Sequence, residues 1–183
     1  FQPVPLAQAA PNEKASEWGF FCVPGYWQRG ILFNHMRDAS GKAVSEWRGI
    51  NYRKGGVNAW YKRTFRVPAD WKGKKVEICA EDVSDAAEFY LNGKSVYKKA
   101  DSVCDTIRFD VSKFLKYGAE NEMRIRNEGK ITSVSGLGDI AFKITPVANF
   151  GDPAIVTKVS NGTLEISLAG ENIPPQSTVT LAV

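Results

Sequence analysis

The stretch Ala87-Glu88-Phe89-Tyr90-Leu91-Asn92-Gly93-Lys94-Ser95-Val96-Tyr97 decides the fold class. Phe89 and Leu91 lead into Asn92-Gly93, and Val96 resumes the strand on the far side. Asn-Gly between two apolar runs is the strongest short-range hairpin signal, because both residues accept the positive φ of a type I′ turn. Working upstream, residues 59–67 read as a strand. Tyr61, Phe65 and Val67 share one face with Arg63, while Lys62, Thr64 and Arg66 share the other. Pro68 stops it, and Asp70-Trp71-Lys72-Gly73 turns the chain into a strand over 75–80. There Val76, Ile78 and Ala80 face inward and Glu77 and Cys79 outward.

Downstream, Ile107, Phe109 and Val111 alternate again, as do Met123 and Ile125 with Arg124 and Arg126. Ile140, Phe142 and Ile144 form another strand, ended by Pro146. Residues 111–117 read as one or two helical turns closed by Gly118, with Asp110 or Ser112 as the cap. Helical periodicity of useful length is otherwise absent. Short alternating runs recur about every 10–15 residues between turn residues, the pattern of an antiparallel sandwich or barrel.

The first 58 residues are less regular. Trp18, Phe20, Phe21, Val23, Tyr26 and Trp27 form an aromatic-rich opening around Pro24-Gly25, and residues 34–58 read as a long loop. Loops beyond ~12–15 residues tend to be functional or mobile. A boundary is expected near residues 149–153, dividing the chain into a domain over 1–149 and a fragment over 150–183. The fragment holds fresh strands over 155–168 and 178–183, around Asn161-Gly162 and Pro174-Pro175. It is too short for a sandwich of its own, so it is expected to begin a second domain.

With 183 residues, 43% apolar and 24% charged, the chain is long enough and apolar enough for a real core. No apolar run approaches the ~20 residues that span a bilayer. The net charge is +4, and the basic residues are scattered, with short runs at 72–75 and Lys98-Lys99. Nucleic acid would call for a basic stripe with interleaved aromatics, so these lysines read as solvated surface. Cys22, Cys79 and Cys104 show no CxxC spacing and make no zinc site with the single histidine, His35. An odd count argues against a disulfide framework. It leaves one bridge plus a free thiol, or three buried thiols acting as small hydrophobes, the latter favoured. The chain starts at Phe1 rather than Met, so a signal peptide, a tag or another domain is expected upstream.

No catalytic constellation emerges. Catalysis by a carboxylate pair needs two carboxylates about 5–5.5 Å apart, one with a raised pKa. Glu81-Asp82 point to opposite faces at a strand end, and Glu120 and Glu122 flank a turn. Ser95-Val96-Tyr97-Lys98 fits SxxK only in letters, since its Ser and Lys leave a hairpin on a strand. A sugar site on a sandwich needs an exposed ring for the apolar C–H face of the pyranose and polar groups for its hydroxyls. Trp47, Tyr52 and Trp27, with Asn51, Arg53 and Asn34, are the best such cluster, all in or beside the long loop. The plainer alternative makes Trp27 and Trp60 core plugs and Trp47 a loop anchor.

The order of motifs resembles glycoside hydrolase family 2, which includes β-galactosidases, β-glucuronidases and β-mannosidases. Val23-Pro24-Gly25-Tyr26-Trp27-Gln28 is similar to its "VPGxWQ" opening. Asn51-Tyr52, Gly55-Gly56 and Trp60-Tyr61-Lys62-Arg63 resemble "NYxG…WYxR", and residues 65–74 resemble "FxVPxxWKGK". Residues 87–94 match "AEVYLNGK", residues 109–112 "FDVT", and residues 118–123 "GENxL" with one insertion. The resemblance covers residues 16–147. It implies an all-β fold: an antiparallel jelly-roll β-sandwich of the galactose-binding-like type, followed by the first strands of an immunoglobulin-like domain. The family's catalytic (β/α)₈ barrel, which would follow, is not in this sequence.

The resemblance therefore implies a non-catalytic sugar-binding or architectural domain supporting that barrel, with a stand-alone carbohydrate-binding module as the alternative. Its partner is carbohydrate or the barrel of the same polypeptide, which Asn51 and Tyr52 would touch. Residues 135–142 keep the family's Gly-rich turn but lack its Arg, and residues 127–134 carry no acidic cluster. No cofactor is implied. A structural Ca²⁺ is permitted, but no DxDxDG-type loop locates it. Secretion or a periplasmic location is expected, and unpaired edges of the cut second domain would favour homodimers of the isolated chain.

Overall fold

The structure, a computed structural model, describes residues 1–5, 8–26, 36–42, 57–101, 103–129, 135–150, 154–158, 162–167 and 169–178. In chain order the strands are β1 (Gln2–Pro5), β2 (Phe20–Phe21), β3 (Gly25–Tyr26), β4 (Met36–Arg37), β5 (Val57–Arg66), β6 (Lys75–Val83), β7 (Ala87–Leu91), β8 (Lys94–Lys99), β9 (Asp105–Asp110), β10 (Glu120–Gly129), β11 (Gly136–Leu137), β12 (Ile140–Thr145), β13 (Asn149–Phe150), β14 (Ala154–Lys158), β15 (Thr163–Ser167) and β16 (Gly170–Glu171). Two antiparallel sheets dominate, one ordered β1-β5-β10-β7-β8 and one ordered β12-β6-β9. From β5 to β12 the chain shuttles between them, leaving the larger sheet at β6, returning for the β7–β8 hairpin, and leaving again at β9 and β12. The two sheets share one core, so the fold is a β-sandwich.

Alternation explains the packing. On β6, Val76, Ile78 and Ala80 are fully buried, while Glu77 and Cys79 between them are half-exposed. They meet Phe89, Leu91, Met123 and Ile125 from the larger sheet. The hairpin forms as the sequence predicts: Asn92 and Gly93 take φ of 51° and 80°, and Leu91 pairs with Lys94.

β5 runs longer than its sequence pattern, from Val57, because both its faces are covered at that end. Tyr61 faces the main core, and Trp60 faces the other way into a second cluster with Val4 and Trp18. Val4 belongs to β1, a strand the sequence does not betray. Pro3 and Pro5 lack donors, and β1 takes the edge beside Val57–Trp60, where proline is tolerated.

Three expectations are corrected. Residues 111–117 contain a single 3₁₀ turn, Ser112–Phe114, with Leu115 extended behind it. The Asn121 side chain accepts from Lys116 N at 2.8 Å and donates to Lys116 O at 2.9 Å, which takes that backbone away from a helical ladder. Asp110 still organises the turn, its Oδ1 accepting from Ser112 N at 2.8 Å. Second, all three cysteines are free, but they are not buried: Cys22 and Cys104 are exposed in connections, and Cys79 is half-exposed on the outer face of β6. Third, Glu120 and Glu122 lie within β10 rather than around a turn.

The expected loop over 34–58 also contains β4, paired with Phe20–Phe21. A tight turn follows in which Asp38 Oδ1 accepts from Ser40 N at 2.9 Å and Lys42 N at 3.0 Å. Beyond the sandwich, β14 and β15 form a hairpin and β13 pairs with β16.

One glycine marks a close approach. A Cβ on Gly138 would sit 2.6 Å from the Glu81 carbonyl oxygen and 2.8 Å from its carbon. Gly138 N also donates to that oxygen at 2.8 Å. The clash is with backbone at the β6 end, where Asp82 already holds φ of 47°. Gly138→Ala is expected to cost about 1–3 kcal/mol in a urea melt; a loss below about 0.5 kcal/mol would show that the β6 end yields freely.

Candidate functional site: an aromatic cleft at the open side of the sandwich

The six residues singled out by sequence, Trp27, Asn34, Trp47, Asn51, Tyr52 and Arg53, lie outside the described residues, as does His35. The described residues hold a cleft of about 620 Å³ between β5 and β12, where the two sheets part. Its walls are rings. Phe65 and Phe142 lie 5.1 Å apart between centroids, and Trp71 meets Phe142 edge-on at 5.8 Å. At the other end Phe21 approaches Tyr61 at 6.2 Å. A smaller hollow of about 510 Å³ adjoins it, where the Lys62 ammonium stands 4.3 Å above the Trp18 ring beside the exposed Phe20.

Two polar groups in the cleft stand out. Arg63 is an exposed cation on the inward face of β5, in phase with Tyr61 and Phe65. Among the described residues it makes no hydrogen bond or ion pair. Its place in the alternation was visible in the sequence as a lone cation on an apolar face. The Tyr61 hydroxyl is buried and has no hydrogen-bond partner among the described residues, and burial pushes its pKa well above the usual tyrosine value. Removing an unsatisfied buried hydroxyl relieves its desolvation cost. Tyr61→Phe is therefore expected to leave stability unchanged or raise it by up to about 1 kcal/mol; a clear loss on thermal melting would mean that the hydroxyl has a partner in solution.

Arginines on the outer face of the larger sheet hold the carboxylates of Glu13, Glu88, Glu122 and Glu128. Arg124 bonds Glu13 and, at 2.6 Å, Glu122. Arg126 reaches Glu88 at 3.3 Å and Glu128 at 3.6 Å. The Arg124 hydrogen bond holds the Glu13 carboxyl below the usual range. At Glu88, partial burial works upward, but the hydrogen bonds from Tyr90 and Ser95 and the charges of Lys98 and Arg126 bring the net pKa down. A general acid for glycoside cleavage needs the opposite displacement. Lysine at 98–99, expected as a solvated run, divides: Lys98 is exposed, but Lys99 is buried, in phase with Tyr97 on the core side of β8.

Comparison with known proteins agrees with this architecture. A family model described as the glycosyl hydrolase 2 galactose-binding domain-like domain matches residues 36–137. Over 82 residues, 45% of the chain, the sequence is 33% identical to a β-glucuronidase of Formosa agariphila, a stretch amounting to 7% of that protein. Over 60 residues, 33% of the chain, it is 37% identical to a β-galactosidase of Thermoanaerobacter pseudethanolicus, 8% of that protein. A solved glycosyl hydrolase family 2 member from Bacteroides cellulosilyticus shares the fold with a TM-score of 0.50 and 17% identity, over 63% of this chain and 20% of that one. The chain thus aligns with only a small fraction of each relative's length. With more than half of its residues inside the matched span, the chain belongs to the glycosyl hydrolase 2 galactose-binding domain-like family.

Proposed function

We propose that this chain works as the non-catalytic N-terminal domain of a family 2-like glycoside hydrolase in carbohydrate metabolism. Residues 1–149 form the jelly-roll domain, residues 150–183 begin an immunoglobulin-like sandwich, and a catalytic barrel follows in the same polypeptide. The single observation behind this reading is the family match over 36–137 combined with the small share of each relative that it covers. The domain's work is to brace the barrel and edge its substrate pocket. Secretion or export to the periplasm belongs to the same proposal. In isolation the chain would pair through the unpaired strand edges of the cut second domain.

The test has two parts. The isolated 183-residue chain should hydrolyse neither aryl β-glucuronides nor aryl β-galactosides. The endogenous protein, sized by denaturing gel and intact mass, should be several domains long by the ~100–200 residues per domain prior. Turnover that survives repurification and is lost on a Glu→Gln change in this chain would defeat the reading, as would an endogenous species close to 20 kDa.

A second reading, a stand-alone carbohydrate-binding module, draws on the cleft. Its ring walls offer apolar faces to a pyranose, and Arg63 offers an exposed cation for a carboxylated sugar. Calorimetry with glucuronate and galactose decides it. Binding lost on Arg63→Gln places the sugar in the cleft, and binding lost on Trp47→Ala or Tyr52→Ala places it at the loop. Absence of heat with either sugar at millimolar concentration defeats it.

A further inference from the structure

The Lys99 side chain is 3% exposed, at the end of β8 where the chain crosses from the larger sheet to the smaller. Its Nζ donates to Asp101 Oδ1 and to the carbonyl oxygen of Val103. It also donates to Asp101 O at 3.0 Å and to Asp85 O at 3.5 Å. Asp105 Oδ2 completes the group at 4.0 Å. The oxygens come from the β6–β7 corner, the β8–β9 connection and the start of β9. Asp85 reaches the group with a left-handed backbone, φ 58°.

An ammonium has three donors, and here it faces five oxygens. Two carboxylate oxygens and three backbone carbonyls are the ligand types of a hard divalent cation. Ca²⁺ takes six to eight such oxygens at about 2.3–2.6 Å, with water filling the gaps. A second cation could not share the pocket with the ammonium, because two like charges would sit within a few ångströms in a desolvated place. A bound Ca²⁺ therefore does not fit this corner as it stands.

We propose that the Lys99 ammonium is the built-in cation of a calcium-type oxygen site, so that the chain needs no metal at this corner and loss of the ammonium uncovers a Ca²⁺ site. The ammonium ties the β8–β9 crossing to the β6–β7 corner, as a bridging ion would. A tethered cation cannot dissociate, so the corner holds whatever the surrounding calcium concentration.

The test compares wild type, Lys99→Ala and Lys99→Met by thermal melting in 1 mM EDTA and in 5 mM CaCl₂. Wild type should melt at the same temperature in both. Both variants should melt roughly 10 °C lower in EDTA, since a buried charge partner is gone. Calcium should raise Lys99→Ala by roughly 5 °C or more, or fold it outright, because the ion binds only the folded state. It should leave Lys99→Met unmoved, because the methionine stem fills the space. A wild-type melt lowered by EDTA overturns the proposal. So does a Lys99→Ala chain that stays unfolded in calcium or gains no more from it than Lys99→Met.

Reductive methylation of the native wild type, read by peptide mass spectrometry, checks the occupant itself. Lys98, exposed one residue away, should be labelled while Lys99 is not. Equal labelling of the two overturns the cage.

Discussion

Phe89→Ala should be among the most damaging single changes in the chain, lowering stability by about 3–5 kcal/mol and Tm by roughly 10 °C. Phe89 has no exposed surface and lies in the middle of β7. Its ring meets Phe109 of the opposite sheet edge-on at 5.2 Å and Tyr97 of the neighbouring strand at 6.2 Å. Tyr97 and Phe109 in turn stack on each other at 4.4 Å, tilted by only 11°. The three rings are thus one contact between the two sheets, and alanine would leave a cavity at its centre. Because packed cores relax only partly, the cost includes that cavity as well as the lost transfer energy. Phe89→Leu, which refills much of the volume, should lose roughly half as much or less. Phe20→Ala is the control. That ring is 62% exposed, and its removal should stay within about 0.5 kcal/mol. A Phe89→Ala loss below about 1.5 kcal/mol in a urea melt would mean that the sheets are not joined through this ring.

The same residue shows what was legible in the sequence. Phe89 and Leu91 before Asn92-Gly93 state a face, a strand and a turn within a few positions, all of them local. The strands over 59–67, 75–80, 107–111 and 140–144 were readable for the same reason, since a period of two needs only a short window. What failed was non-local. β1 is a run of Gln-Pro-Val-Pro that becomes a strand only because Val57–Trp60 lies beside it. The run 111–117 looked helical because the partner that captures its backbone, Asn121, comes later in the chain. Lys99 looked like half of a surface pair, although it stands two residues from Tyr97 on the same side of a strand. Its acceptors are scattered over residues 85, 101, 103 and 105, and no spacing rule collects them.

The candidate site was legible in a different measure. The ring-and-amide cluster chosen from sequence falls outside the described residues, so its geometry is not the basis of the cleft described here. The cleft's cation, Arg63, was visible as a charge in phase with Tyr61 and Phe65. Its significance came only with the parting of β5 from β12, which brings Phe142 and Trp71 to the same opening. The family motifs, by contrast, are mostly structural. Asn92-Gly93 is a turn, and Cys79 is a half-exposed thiol rather than a small core residue because β6 turns it outward.

Two of those motifs meet in space, and the second large prediction rests on that contact. Asn121→Ala should cost about 3 kcal/mol, although it removes few atoms. Asn121 is 1% exposed, and all its amide groups are used. Oδ1 accepts from Lys116 N and from Asn92 Nδ2, both at 2.8 Å. Nδ2 donates to Lys116 O at 2.9 Å and Ala119 O at 3.1 Å. Asn92, from the hairpin turn, also donates to Phe114 O at 2.9 Å and accepts from Glu122 N at 3.1 Å. The pair therefore pins the β9–β10 connection to the β7–β8 turn, and alanine would strand several buried donors and acceptors at once.

Asn121→Asp makes the argument sharper. It keeps the shape and the acceptor but turns a donor toward two carbonyls into a second oxygen, so it should be nearly as harmful as alanine. Asn92→Ala should cost less, and the double variant should fall short of the sum of the two, because the Asn92–Asn121 bond is lost in either single change. Strict additivity within about 0.3 kcal/mol would show that the two asparagines act independently and that the motifs share a neighbourhood without sharing a network.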